Sequence, residues 1–239
     1  MKKMLLVILI LLPFIVGFSV KGHYWITDKS FEYLPEVMLA FKERFHQPSI
    51  SGIPPRYMLP DIYEPGHTNE GLAANAETHY IELVNALIEE RWNDVETQIG
   101  YVAHYCGDAA SPTQNSPDAW GQIDDSYDAL VDVFLDDITL DADFDEPIKV
   151  ENIYKYYLDR CRQSAQLADT LIIIHNAAKT EEQIWASSRD IFQQQLNYAV
   201  RDLRNVLFTA WDAAGQPSNY VQISSGCTCS PIIRNKILK

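Results

Sequence analysis

Ile153, Tyr157, Cys161, Ser164, Leu167 and Leu171 recur every three or four residues, and Phe192, Leu196, Ala199, Leu203, Val206 and Ala210 repeat the spacing further on. An α-helix returns to the same face every 3.6 residues, so each series is an apolar stripe that another element has to cover. A chain written this way must bury helix against helix. Further helices are predicted near 24–45, 70–91, 94–110 and 124–138. Their candidate caps are Thr68 or Asn69, Asn93, and Thr180 backed by Gln183 three residues on. Alternating strand patterns are missing apart from "NYVQIS" near the end, and there is no internal repeat or low-complexity tract. With 239 residues, 47% of them hydrophobic, one sizeable core is within reach. The expectation is an all-α, single-domain multi-helix bundle over 18–215, followed by a C-terminal tail at 216–239.

The first seventeen residues belong to a different class. "MKKMLLVILILLPFIVG" opens with two lysines and runs apolar from Met4 to Val16. That run is shorter than the roughly 20 residues a membrane-crossing helix needs, and it reads as a secretory signal peptide. Gly17 supplies the small residue at the cut, which places the new N-terminus at Phe18. An uncleaved anchor is the rival reading. Removing Lys2 and Lys3 takes the formal charge from −14 to −16. So acidic a body disfavours non-specific adhesion to nucleic acid or anionic lipid. The expected location is outside the cytoplasm, with no stable membrane span after cleavage. Four cysteines permit two disulfides in three pairings. Cys106 and Cys161 fall within helical stretches, Cys227 and Cys229 in the Gly/Ser-rich tail.

Chemistry concentrates in "GYVAHYCGDAASPTQ", residues 100–114. His104 and Asp108 stand four apart on an apolar helix, so both project from one face about a turn apart. Imidazole and carboxylate at that spacing suit zinc, although an ordinary buried hydrogen bond has the same form. Ala103 and Gly107 fit close helix packing. "HQPSISGIPPRYMLPDIYEPGHT" (46–68) lacks periodicity and is long for a structureless loop. It places Asp61 where a rigid backbone can aim a carboxylate inward, and "AETHYIE" adds His79 on the helix that follows. "FSVKGHYW" sets His23 five residues after the new N-terminus, where the Phe18 amine and carbonyl form a five-membered chelate.

These stretches together resemble the zinc-dependent phospholipase C superfamily, which also contains single-strand-specific zinc nucleases. The resemblance runs from Phe18 to about Asp128 and is carried by "PDIYEP", "THYIE" and "GYVAHYCGDAASP", with Phe18 to His23 keeping the spacing of the nuclease N-terminus. It implies a helical bundle of the zinc phospholipase C type with two zinc ions. One would be held by Asp61, His79, His104 and Asp108. The other would be held by Phe18 through its amine and carbonyl, by His23, and by Asp108 as a bridge. The family's third position expects a histidine after the signature proline and then His-x-x-x-Glu; this chain offers Gln114, Asp124 and Asp128. Oxygen donors suit magnesium, calcium or manganese better than zinc. The third position is therefore expected to be empty or to take a hard divalent cation.

The implied activity is hydrolysis of phosphoric ester bonds by metal-activated water, with Asp61 as the catalytic residue that orients or deprotonates the water. The expected partner is a phosphate-ester substrate, with a phospholipid headgroup favoured over nucleic acid on the acidic charge and on the closer match of "PDIYEP" and "HYCGDAASP". The alternatives are a single-strand nuclease of the same superfamily and a non-catalytic metal-binding scaffold with a degenerate third position. His67 is a minor candidate ligand, and Glu77 and Glu82 are candidate orienters of imidazoles. Trp25, Trp92, Trp120 and Tyr127 are expected in the core.

Overall fold

A computed structural model of the chain describes residues 20–45, 68–140 and 146–218. They form helices α1 (Val20–Glu32), α2 (Leu39–Phe45), α3 (Asn69–Ile88), α4 (Trp92–Ala110), α5 (Pro117–Phe134), α6 (Ile153–Ala165), α7 (Ala168–Ala177) and α8 (Glu181–Ala213), with 3-10 turns at Glu36–Met38 and Leu135–Asp137. No strand occurs among the described residues, and the protein is an all-α multi-helix bundle. "NYVQIS", Cys227 and Cys229 lie outside the described residues, as do residues 1–17.

The apolar stripes fold as their spacing requires. All six residues of the second stripe are buried on α8, and the long helix forms the spine against which α1 and α4 pack. The first stripe is carried by two helices, because the chain breaks at Gln166 and Leu167 before α7 begins. Its faces stay in register across the break: Ile153, Tyr157, Cys161, Ser164 and Leu171 are buried, and Leu167 is half-buried. The buried apolar side chains form one continuous cluster. Tyr127 belongs to it, while Trp25 and Trp92 pack partly buried against it. Trp120 is half-buried.

The predicted helix at 24–45 is divided at Pro35. Proline has no amide hydrogen to continue the ladder and holds its predecessor extended, so α1 ends and a 3-10 turn leads into α2. Of the predicted caps, Thr68 accepts from the Gly71 amide at 3.0 Å and Thr180 from the Gln183 amide at 3.3 Å. Gln183 in turn accepts from the Lys179 amide. Asn93 is not a cap: α4 starts a residue earlier, with Arg91 at the N-cap position. Asn152, which the sequence reading passed over, caps α6 through the Lys155 amide at 2.7 Å.

Polar residues on α8 fasten the segment between α5 and α6. Gln193 accepts from the Thr139 amide, Asn205 from Ile148 and Thr209 from Val150, so backbone groups that lie on the helix keep their hydrogen bonds. Asp202 joins α8 to α6 through both nitrogens of the Arg160 fork, at 2.6 and 3.2 Å, and accepts from the Tyr156 hydroxyl at 2.7 Å. Cys106 and Cys161 are buried free thiols, and Cys106 Sγ lies 3.0 Å from the Tyr157 hydroxyl. No helix among the described residues is long and apolar enough to cross a membrane.

Candidate metal centre

Two helices build the centre. α4 supplies His104 and Asp108 one turn apart, and α1 delivers His23 from 85 positions before Asp108 in the sequence. All three side chains are buried to 1% exposure or less. His104 Nε2 lies 2.8 Å from Asp108 Oδ2, and His23 Nε2 lies 3.4 Å from Asp108 Oδ1. The two imidazoles stack at 4.8 Å with planes 15° apart. The carboxylate thus turns a different oxygen toward each ring.

Gly107 makes this approach possible. A Cβ built there would overlap Cε1 and Nδ1 of the His23 ring, so only glycine lets the imidazole lie against the α4 backbone. The small residue serves a side chain rather than a neighbouring helix backbone. α1 is held in place independently by Ile26 and Phe31 in the core and by Ser30, whose hydroxyl is shared between Ile26 O at 2.6 Å and Val200 O of α8 at 3.1 Å.

The electrostatics favour a neutral His23 and an anionic Asp108. Burial pushes the His23 imidazole below its ordinary pKa, and the His104 charge adds to this while Asp108 opposes it. His23 is therefore neutral near pH 7. Burial alone would raise the Asp108 carboxyl, but the His104 charge and contacts from His104 and His23 outweigh it and hold the group well below the carboxylate range. Nδ1 of His23 has no hydrogen-bond partner among the described residues, and Nε2 faces only Asp108 Oδ1, at 3.4 Å. Two buried imidazoles around one anionic carboxylate are a donor set that fits a metal ion. Zinc bound at about 2.0–2.2 Å needs its ligand atoms roughly 3.3 Å apart. The ligand atoms of His23, His104 and Asp108 all lie within 4.8 Å of one another. This buried group could hold a metal ion.

The remaining sequence candidates are placed as follows. Phe18, Asp61 and His67 lie outside the described residues. His79, on α3, is half-buried and does not belong to that close group. Its ring stacks on Tyr101 at 4.0 Å, and its Nδ1 meets Gln98 Oε1 at 2.7 Å. A carbonyl oxygen can only accept, so Nδ1 is the donor in this contact. Gln98 thus orients the His79 ring, and Glu82 faces Arg91 at 3.9 Å.

Gln114 is half-buried in the turn after α4, Asp124 is buried on α5, and Asp128 follows one turn later, half-buried. Burial pushes the Asp124 carboxyl up to about 7; Thr113 partly opposes this, and the Asp108 and Asp125 charges add to it. Asp128 is raised well above its ordinary value, first by burial and then by the charges of Asp124 and Asp108. The two aspartates thus stand close enough to Asp108 to feel its charge.

Sequence reasoning missed Asn115 and Ser164, which hold the end of α4. Asn115 Nδ2 lies 2.6 Å from Asp108 O, 2.7 Å from Ser111 O and 3.1 Å from Ala109 O. Ser164, on α6, donates to Ala109 O at 2.8 Å. An asparagine just past a helix stop is a usable sequence signal for such a role, since α4 leaves its last carbonyls without intrahelical donors. Comparison of the chain with protein-family models, with curated proteins and with solved structures finds no match in any of the three.

Proposed function

We propose that the chain is a secreted zinc-dependent phosphodiesterase resembling phospholipase C, with a phospholipid headgroup ester favoured as substrate over nucleic acid. One observation carries the reading: His23, His104 and Asp108, named from separate motifs, meet in one buried site with the carboxylate turned toward both imidazoles. Zinc bound there would supply a Lewis acid that activates water and steadies phosphoryl charge. Burial keeps His23 a neutral nitrogen donor, and Asp108 stays anionic and offers one oxygen to each side, as a bridging ligand for two ions must. His79 would complete one ligand set, its ring oriented by Gln98, together with Asp61, the proposed proton acceptor. Asp124 and Asp128 offer oxygen donors for a hard, exchangeable cation in the third position.

A second reading is favoured by the same third position. Gln114 is a neutral amide where the resemblance implies an imidazole, and a scaffold that binds metal without turnover accounts for that residue equally well. Hydrolysis of phosphocholine esters and of single-stranded nucleic acid separates the readings. The proposal expects weak ester hydrolysis in zinc alone, rising with millimolar magnesium, calcium or manganese. A protein that holds zinc yet cleaves neither substrate in any of these cations is the scaffold.

A further inference from the structure

We infer that Asn115 is a positioning residue for the metal centre, fixing the Asp108 carboxylate through the backbone of the last turn of α4; the inference rests on the metal-site reading above. His104 lies within the hydrogen-bonded body of α4, but Asp108 lies in its final turn. Helix ends fray because their last carbonyls have no intrahelical donor. A bridging carboxylate placed there would wander relative to His104, and metal ligands tolerate errors of only about 0.2 Å.

The Ser111 backbone amide reaches Asp108 O at 3.0 Å, and one buried side-chain amide supplies further donors to the same turn. Asn115 is 5% exposed, and its Nδ2 meets three carbonyls of the terminal turn, those of Asp108, Ala109 and Ser111, together with Ser164 Oγ at 3.0 Å. Its two N–H bonds are shared among these four acceptors. Ser164 itself donates to Ala109 O, so α6 braces the same turn from the far side. The 2.6 Å contact to Asp108 O acts on the ligand residue itself, whose side chain sits opposite both imidazoles. Asn115 touches neither imidazole in any of these contacts, so its effect runs through the position of Asp108.

The test is metal affinity of the full mature chain, measured as zinc competition against a chromophoric chelator, with the visible spectrum of the cobalt(II) form as a report on ligand geometry. Groups that orient metal ligands are worth about 10–100-fold in affinity. Asn115→Ala should weaken zinc binding by at least tenfold and shift the cobalt spectrum. Ser164→Ala, a milder loss, should move both in the same direction by less, and it serves if Asn115→Ala does not fold. Asn205→Ala is the control, since Asn205 holds the Ile148 amide and the Tyr156 hydroxyl in a remote network. It should cost stability yet leave affinity and spectrum unchanged. If wild type binds zinc and Asn115→Ala and Ser164→Ala keep its affinity and spectrum, or if Asn205→Ala weakens zinc as much as they do, the positioning role is wrong and the metal site stands. If wild type binds no zinc or cobalt, the metal site itself is wrong.

Discussion

A methyl group at Gly107 should separate metal binding from folding. Replacing glycine by alanine inside a helix gains about 1 kcal/mol, because less backbone freedom is lost on folding. Against this, the new Cβ overlaps two atoms of the His23 ring, which is 1% exposed and has little room to retreat. Overpacking of that kind costs about 1–3 kcal/mol. The metal-free variant should therefore lie between unchanged and about 2 kcal/mol less stable, a fall of at most roughly 4–8 °C in Tm for a chain of this length. Relief of the overlap moves the imidazole by far more than the roughly 0.2 Å a metal ligand tolerates. At a zinc concentration a hundred times its Kd, the wild type gains about 2.7 kcal/mol from binding. With affinity a hundredfold weaker, the same concentration yields only about 0.4 kcal/mol. Thermal melts followed by circular dichroism, in chelator and in zinc, read both quantities. The expected pattern is a small change in chelator and a near-complete loss of the zinc-induced rise. A Gly107→Ala protein whose Tm rises with zinc as much as the wild type's would show that His23 is not a ligand.

His104→Ala removes a ligand and leaves Asp108 buried without its strongest electrostatic partner, so metal content and Tm should fall together. Elemental analysis and melting check this, and an unchanged pair of values would make His104 an ordinary core histidine. Asp124 predicts a pH effect in the metal-free protein. Its folded pKa is raised to about 7 from 3.8, so the folded state holds a proton that the unfolded state has released between those values. Stability therefore falls as pH rises from about 4 to 7, by up to roughly 4 kcal/mol in total. Asp124→Asn should remove that loss, and urea unfolding in chelator should show it more stabilising at pH 8 than at pH 5. An equal effect at both pH values would mean that Asp124 is not buried as described.

The helices were legible because their signal is local. Stripes such as Phe192 to Ala210 repeat at the helical period, and each residue of that stripe is buried. Pro35 announced a break that the long predicted helix at 24–45 ignored, whereas the break before Ala168 leaves the apolar period intact and so leaves no trace in it. The site was legible in part. His104 and Asp108 declare themselves by spacing on one helix, but nothing local in "VKGHYW" joins His23 to them; the resemblance supplied that link. Gly107 could be read as small but not as the seat of an imidazole, because the ring comes from α1. Gln98 and Ser164 escaped for the same reason, since each acts on a partner from another helix. Asn115 instead acts on carbonyls only four to seven residues before it and was legible as an asparagine past a helix stop. For Gln98 and Ser164 the contact that gives the residue a role forms only when the helices pack.

The central claim is that His23, His104 and Asp108 hold metal at their meeting point. Anomalous diffraction from crystals of the mature chain, recorded on both sides of the zinc absorption edge, tests it most directly. The account predicts an edge-dependent peak within coordination distance of His104 Nε2, with His23 Nε2 and both Asp108 oxygens turned toward zinc. Zinc-replete crystals with no such peak, in which the two imidazoles hydrogen-bond directly to Asp108, would contradict it.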